Sequence, residues 1–540
     1  MQCQLDYITS LRQDAARRDA LNRLPPGLPA TYICMLERIG QVPHDLTIAR
    51  TALTWLIFSR RPLKLRELSV AAVIEADTEF DGEQLLDSEE ILLEICGSLI
   101  KRYEDRQIVT FSHFSVREFL TIPVLPDGTV NRYFVSEADG NALLMKSCFS
   151  YLRSGLRGRS CTTISELSKL HSDSFLTYTM YNWPHHSQTL TDDMSITNRI
   201  VSLFESEFFP TWSQAWVQSE ETGRWNIWNR EARIRDFGYQ VEIPATPLYF
   251  AAMFGFHQVA KALLDKGSSA NVPGGLYDYP IFVAIVNENL EVLRALLEGG
   301  ANTQVQRRSD QGIYGESPLH LAAGLWNVEI VTLLIDFNAD VNAKTRIGFT
   351  PLCEALSEED AEPMPQLVKL LLPDPRAFTS KLCSSPLHVA AQYDQHQSAR
   401  IILEGQGSVY VNASNEVGDT PLHLAVRRKS RRVVSLLLEF GAKLTIRGQY
   451  GWTPLQLAAW DRNIAMMEYL GKFSVRNLPP PDWTLCKPRL PDPTPVITTE
   501  ANTLRPIRRK VHSSVQYLAL EHMLLTDPSD HIWRIFLADY

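Results

Sequence analysis

The chain has 540 residues, 45% of them apolar and 21% charged, with a formal net charge of −9. This length is too great for one hydrophobic core and predicts several domains, and the composition excludes a largely disordered or fibrous protein. Because binding to phosphates needs an excess of cations, the acidic balance also disfavours a protein that binds nucleic acid along its length.

Cysteine usage and hydropathy exclude two further classes. The eight cysteines are scattered without a C-x-x-C pair, which argues against a zinc module and against a disulfide framework. No stretch approaches the roughly 18 uninterrupted apolar residues of a membrane helix, and residues 1–12 contain no apolar signal segment. We therefore expect a soluble, intracellular protein without a membrane partner, with nucleus and cytoplasm both open.

The N-terminal region predicts helices followed by a small hairpin. Residues 32–39 and 48–58 each place apolar side chains on one helical face, and residues 91–100 form a third apolar helical run. Residues 101–103 and the apolar residues 108–111, on either side of a polar turn at 104–106, then predict a hairpin. Helices that precede a small hairpin suggest a winged helix.

An acidic stretch lies between these helices. Residues 75–94 contain nine acidic side chains and no basic one. Winged helices often bind DNA, but a groove-reading helix with this flank would repel phosphates. We therefore expect no direct binding of nucleic acid.

A Thr/Ser-Pro-Leu element recurs through the C-terminal half of the chain. The hydroxyl residue can cap a helix, and the proline suits the first helical turn. The copies begin at residues 246, 279, 317, 350, 385, 420 and 453, at intervals of 33, 38, 33, 35, 35 and 33. A period near 33 with T-P-L-H-x-A is the signature of ankyrin repeats, and residues 241–473 resemble about seven of them.

Two repeats depart from this pattern. The second lacks the Thr and the His, and the fourth contains Pro363, Pro365, Pro373 and Pro375. Prolines there shorten or break the second helix. We expect a local irregularity and not a loss of the stack.

The resemblance to ankyrin repeats implies a protein partner on the concave face, which the hairpin tips and the first helices form. Aromatic and arginine side chains dominate interface energies, so we single them out at the positions that point there. Trp326 could instead seal the packing between repeats. The candidate partner-binding residues are Phe254, Trp326, Tyr393, Arg427, Arg428, Trp460, Arg346, Tyr450 and Trp452.

Two basic runs deserve separate interpretations. Residues 427–432 fall in the turn between the helices of the sixth repeat, where a solvated loop is the simpler reading. The second run follows seven prolines within residues 479–495, so residues 474–540 are interpreted as a proline-rich linker and tail. That second run is a candidate nuclear-import signal formed by Arg505, Arg508, Arg509 and Lys510.

Taken together, the chain resembles fungal NLR-like STAND proteins of the NACHT type. The motifs that carry the resemblance are Leu24-Pro25-x-Gly27-Leu28-x-x-Thr31-Tyr32, Phe111-Ser112-His113-Phe114 and Tyr178-x-x-Tyr181-x-Trp183-x-x-His186. It implies a mainly α fold: a winged-helix domain over 24–125, a helical connector over 126–240 and the ankyrin-repeat solenoid. Residues 1–23 would then be the remnant of an ATPase-to-winged-helix junction.

The chain departs from this family in lacking the ATPase motif. No G-x-x-x-x-G-K-[ST] sequence is present to hold a nucleotide, so His113 is expected to be structural. A lipid deacylase shares this kind of winged helix, but neither a G-x-S-x-G elbow nor an H-E-x-x-H motif occurs. His185 and His186 have no Cys or carboxylate at ligand spacing. We expect no enzyme activity, no metal and no cofactor.

Two functions remain open on the sequence alone. The first is a non-catalytic adaptor or regulator, including a transcriptional co-regulator that acts through another protein. The second is the sensor or inhibitory arm of an NLR-like immune system, which docks on a separate ATPase. A hidden enzyme is a third and more distant alternative.

Overall fold

The computed structural model divides into two compact units. The first contains the described residues through 218 together with 244–283 and 291–300, and the second contains 284–290 and the described residues from 301 onward. The junction over residues 1–23 and the import signal at 505–510 lie outside the described residues. The structure describes residues 27–75, 78, 80, 85–103, 107–156, 174–190, 193–218, 244–275, 277–307, 315–346, 348–357, 363–372, 385–406 and 410–474.

The first unit begins with helices and a three-stranded antiparallel sheet. The strands lie in the order β1, β3, β2, and Val109 pairs with both Leu63 and Arg102. The first helices and the hairpin are confirmed, whereas β1 and α3 are additions. The elements are α1 (Leu28–Ile39), α2 (Pro43–Phe58), β1 (Leu63–Lys64), α3 (Leu65–Val73), α4 (Glu89–Cys96), β2 (Ile100–Tyr103), β3 (Ile108–Phe111) and α5 (Phe114–Thr121).

The predicted helix over 91–100 is shorter than expected. It ends at Cys96 because Gly97 adopts a positive φ of 52°, a conformation that favours glycine and stops the helix. A single 3-10 turn follows, and Ile100 already belongs to β2. An apolar run alone does not show where a helix gives way to a strand.

Four connector helices follow the sheet. Trp55 from α2 is fully buried against Phe175 and Tyr178, with ring centroids 5.5 Å away in each case, so the connector and the N-terminal helices share one core. The connector helices are α6 (Glu137–Leu156), α7 (Ser174–Gln188), α8 (Met194–Phe204) and α9 (Phe209–Gln218).

A buried ion pair also joins the connector to the sheet region. Glu67 is 1% exposed and accepts two hydrogen bonds of 2.7 Å from the Arg61 guanidinium. Arg61 in turn donates to the Ser174 carbonyl and lies 5.1 Å from the centre of the Tyr178 ring. Burial by itself would raise the pKa of Glu67, but the hydrogen bonds from Arg61 and from the Lys64 backbone hold it below its ordinary value.

Pairs of short helices occupy the C-terminal half, with one pair for each predicted repeat. The fourth pair is the shortest, and Pro365 stands in the first turn of α17 instead of breaking it. The pairs are α10 (Pro247–Phe254) and α11 (His257–Asp265), α12 (Pro280–Val286) and α13 (Leu290–Glu298), α14 (Pro318–Gly324) and α15 (Val328–Asp336), α16 (Pro351–Ala355) and α17 (Pro365–Leu370), α18 (Pro386–Gln392) and α19 (His396–Gln406), α20 (Pro421–Arg427) and α21 (Arg431–Glu439), and α22 (Pro454–Trp460) and α23 (Ile464–Ser474).

Candidate partner-binding surface

The Thr/Ser-Pro-Leu-His element caps the first helix of its repeat. In the sixth repeat, His423 Nδ1 accepts hydrogen bonds from the Thr420 backbone N–H at 3.2 Å and from its hydroxyl at 2.8 Å. Ser317 with His320 and Ser385 with His388 repeat this geometry. The element therefore satisfies backbone groups that a helix end leaves unpaired.

The same histidines tie each repeat to the next one. Because Nδ1 accepts, the proton lies on Nε2, which donates to a backbone carbonyl of the following repeat. Burial is the main cause that lowers the pKa of each ring, to about 4 for His388, so each ring is neutral at pH 7. The Nε2–O distances are 2.9 Å from His320 to Phe349, 3.1 Å from His388 to Asp419, and 3.0 Å from His423 to Trp452.

The turn before the sixth repeat contains a buried carboxylate. Asp419 is 1% exposed and accepts a hydrogen bond of 2.9 Å from Arg427 Nη2 and one of 2.8 Å from the Gln449 backbone N–H. A Cβ atom on Gly448 would lie 2.3 Å from Asp419 Oδ1, so only glycine allows this approach. Asp419 thereby fixes Arg427 at the end of α20.

Two tryptophans form an exposed aromatic surface in the seventh repeat. The Trp452 and Trp460 rings are 4.8 Å apart at an interplanar angle of 47°, and Trp460 remains 42% exposed. Asp461 follows directly. Partial burial raises the pKa of Asp461, and the positive charges of Arg427 and Lys429 oppose that rise. Asp461 therefore lies within electrostatic range of these two residues, at the turn between α20 and α21.

Two family models match the repeats, and a third matches the N-terminal region. "Ankyrin repeats (3 copies)" matches residues 281–378, 361–448 and 387–476, and "Ankyrin repeat" matches 245–274. "GPI inositol-deacylase, winged helix domain" matches residues 36–128. The chain carries a winged-helix domain followed by ankyrin repeats. The mostly helical fold class predicted from the sequence is thus confirmed.

This chain covers only part of the similar proteins. The chain is 24% identical over 319 residues to azaphilone pigments biosynthesis cluster protein L of Monascus ruber, across 55% of this chain and 65% of that protein. It is 25% identical to E3 ubiquitin-protein ligase KEG of Arabidopsis thaliana, across 43% of this chain and 14% of that protein. Less than two thirds of either relative is therefore spanned.

Two solved structures that resemble this chain are ankyrin-repeat domains. The ankyrin repeat domain of Bcl-3 is 23% identical, covers 43% of this chain and 100% of its own, and gives a TM-score of 0.36. That of human ASB11 is 26% identical, covers 44% of this chain and 100% of its own, and gives a TM-score of 0.34.

Four further candidate residues, three arginines and a tyrosine, lie at least partly on the surface. Arg428 and Arg346 are exposed, and Tyr393 and Arg427 are half-buried. Arg427 is already held by Asp419, so it supports the turn as well as facing solvent. The side chain of Tyr450 lies outside the described residues.

Trp326 has a packing role. Its indole Nε1 donates a hydrogen bond of 2.8 Å to the Ala355 carbonyl in the next ankyrin repeat. The ring is only half-buried, yet its polar group is fully used within the protein. This is the alternative that the sequence left open for this residue.

Phe254 requires a correction. It is 3% exposed and packs within the first unit against Trp216 and Phe256, with ring centroids 5.5 Å away in each case. The connector helix α9 covers the position that an ankyrin pattern alone assigns to the concave face. Phe254 is therefore a core residue, and a partner has no access to it.

His113 and His186, outside the ankyrin repeats, have structural roles. His113 caps α5, where its Nδ1 accepts from the Ser115 backbone N–H at 3.2 Å. His186 is buried between the Tyr178 hydroxyl at 3.0 Å and Asn141 Oδ1 at 2.9 Å. Among the described residues, no group of three His, Cys, Asp or Glu side chains is placed to hold a metal ion.

Sequence reasoning missed Asp419 as the buried residue that supports this surface. Its only signal was an acidic residue directly before Thr420-Pro421-Leu422-His423.

The described helices include none that is long and apolar enough to cross a membrane.

Proposed function

We propose that the chain is a non-catalytic adaptor that captures a protein partner through the last two ankyrin repeats. The observation that supports this proposal is the exposed Trp460. Its ring packs against Trp452, near the turn that contains Arg428. Tryptophan and arginine are the side chains most enriched among residues that dominate binding energy. An ankyrin-repeat fold typically works by binding and not by catalysis.

Contacts within the protein hold residues of the proposed surface in place. Asp419, which Gly448 allows to approach closely, already holds the Arg427 side chain, so ordering Arg427 on binding costs little entropy. The Trp452 ring supports Trp460 from beneath, and a flat aromatic side chain can then bury a large area against a partner. Tyr393 in the fifth repeat extends the surface.

Proximity labelling with the tagged full-length chain tests the proposal. Proteins labelled by the unaltered chain should be lost in Trp460→Ala and in Arg428→Ala, while the thermal unfolding midpoint stays nearly unchanged. Phe473→Ala is the matched control, because Phe473 is an exposed aromatic residue at 49% on the neighbouring helix α23. If Trp460→Ala lowers the unfolding midpoint as much as it lowers labelling, the surface assignment is wrong.

A second candidate function uses the winged-helix domain. Phe114 is 67% exposed at the start of α5, and Val130 is 79% exposed, which are large values for apolar side chains. These residues support the alternative of an NLR-like sensor or inhibitory arm that docks on a separate ATPase. Co-purification of a NACHT protein that Phe114→Ser abolishes would favour it. A strictly nuclear location in imaging would favour a transcriptional co-regulator instead.

A further inference from the structure

In six of the seven ankyrin repeats, the turn between the two helices contains a residue with left-handed backbone, and the corresponding residue of the fourth repeat lies outside the described residues. The left-handed residue stands nine residues after the Thr, Ser or Tyr that opens the repeat, and the first repeat has Gly255 there with φ 76°. A Cβ atom makes this conformation strained, so glycine is the ordinary choice. Later repeats instead have Glu288 (φ 55°), Trp326 (φ 59°), Asp394 (φ 57°), Lys429 (φ 63°) and Arg462 (φ 53°).

The first three of these strained side chains each bond to the next repeat. Glu288 accepts a hydrogen bond of 3.4 Å from Asn327, and Trp326 donates one of 2.8 Å to the Ala355 carbonyl. The Asp394 carboxylate accepts from the Ser430 hydroxyl. Asn327 and Ser430 are the N-caps of α15 and α21, so Glu288 and Asp394 help to fix where these helices begin. These bonds offset the backbone strain.

Lys429 and Arg462 do not follow this pattern. Both are exposed, and neither side chain makes a hydrogen bond or an ion pair with any residue that the structure describes. Asp461 is within electrostatic range of Lys429 but forms no ion pair with it. Residues held in sparsely populated backbone conformations cluster at positions that contact a ligand.

We propose that Lys429 and Arg462 bind two carboxylates of an extended acidic segment of the partner protein, beside Trp460. The inference rests on the proposed function and specifies the chemistry of the partner. Equivalent positions in adjacent repeats are separated by roughly the 10 Å spacing of packed helices. Three residues of a polyproline-II segment span about the same distance and return to the same face. Acidic residues three apart therefore match the two cations.

A protein segment fits this surface better than a nucleic acid does. The Asp461 carboxyl group follows Trp460 directly and lies near Lys429, so a continuous phosphate backbone would meet a negative charge there. The formal net charge of −9 adds long-range repulsion toward any polyanion. A peptide with spaced carboxylates and neutral residues between them has a lower charge density than a phosphate backbone and incurs less of both penalties.

Fluorescence anisotropy on the full-length chain tests the inference with a defined probe. The probe is a fluorescein-labelled peptide of repeated Asp-Pro-Pro with one central Trp, and the control peptide has Asn in place of every Asp. We expect the unaltered chain to bind the Asp peptide, more weakly as salt increases, and not to bind the Asn peptide. Failure to bind the Asp peptide would overturn the inference.

Glycine substitutions separate binding from folding. Lys429→Gly and Arg462→Gly should each weaken Asp-peptide binding by about tenfold and raise the thermal unfolding midpoint by a few degrees, because the strain is removed. Asp394→Gly should lower the midpoint and leave binding unchanged, because it loses its bond to Ser430. Lys472→Ala removes an exposed cation from α23 and should change neither quantity.

The remaining outcomes distinguish this inference from the proposed function. If Lys429→Gly and Arg462→Gly bind normally while Trp460→Ala binds weakly, the acidic-segment inference fails and the Trp460 surface stands. Normal binding in all three variants removes support from both. A lowered unfolding midpoint in the two glycine variants would make these side chains structural and overturn the inference. Tighter binding of a single-stranded DNA oligonucleotide than of the Asp peptide would overturn it as well.

Discussion

The Asp419 carboxylate lies 2.9 Å from Arg427 Nη2, and the Gln449 backbone N–H donates to its other oxygen. We predict that Asp419→Ala lowers the free energy of unfolding by about 2–3 kcal/mol, because it leaves a backbone N–H without its acceptor and releases Arg427. Urea unfolding measures the loss. Arg428→Ala, which removes an exposed cation one residue on, should stay within about 0.5 kcal/mol of the unaltered chain.

The inter-repeat histidines should make the ankyrin repeats acid-sensitive. Burial lowers the pKa of His388 from 6.5 to about 4, so between these values the unfolded chain takes up a proton that the folded chain does not. The contribution of His388 to stability is complete above pH 6.5 and is lost as the pH falls toward 4.

The variant His388→Gln isolates this contribution. Gln456 shows that glutamine can serve the same cap, because its Oε1 accepts from the Thr453 backbone N–H at 2.9 Å. We expect His388→Gln to be less stable than the unaltered chain at pH 7.5, with a difference that shrinks at pH 5. A difference that is equal at the two pH values would contradict a titrating role for His388.

Substitution of two tryptophans should have opposite effects on stability and on partner capture. Trp326→Phe keeps a ring but loses the bond to Ala355, and we predict a cost of about 1 kcal/mol with no effect on partner capture. Trp460→Ala should have the reverse effect, because its exposed ring contributes little to the fold. Thermal unfolding and proximity labelling of both variants would show whether the two roles separate as expected.

The Arg61–Glu67 pair should stabilise the junction of the winged helix and the connector. Arg61→Ala leaves a carboxylate that is 1% exposed without its partner, and we predict a loss of about 3 kcal/mol, more than for Glu67→Gln. Hydrogen exchange in α3 and α7 measures the loss locally. Without Arg61, burial raises the pKa of Glu67, so the deficit of Arg61→Ala should shrink as the pH falls toward 4.5.

Features set by neighbouring residues were predictable from the sequence. Thr246, Thr350 and Thr420 cap helices whose first residue is the following proline, and that arrangement needs only a few successive residues. The hairpin over β2 and β3 is equally local. By contrast, β1 has two residues, too few to show an alternating pattern.

The prediction for Phe254 was wrong because residues far from it in the sequence determine its burial. Phe254 occupies the same position in its repeat as residues on the surface of other repeats, but Trp216 covers it from a helix almost 40 positions earlier. The left-handed backbone in the turns between the helices of the repeats could not be predicted for another reason. Glycine marks it only at Gly255, and the later side chains at that position look like ordinary polar or aromatic loop residues.

The aromatic cluster around Phe254 limits where the repeats can be separated from what precedes them. Phe250 packs 4.7 Å from Trp212, and Phe256 packs 6.0 Å from Trp183, so connector rings seal the open end of the first repeat. Solenoids need such a cover at their ends to remain soluble. A fragment that begins at residue 244 would expose these phenylalanines to water and aggregate. A fusion protein that contains these ankyrin repeats must therefore also include helices α7 to α9.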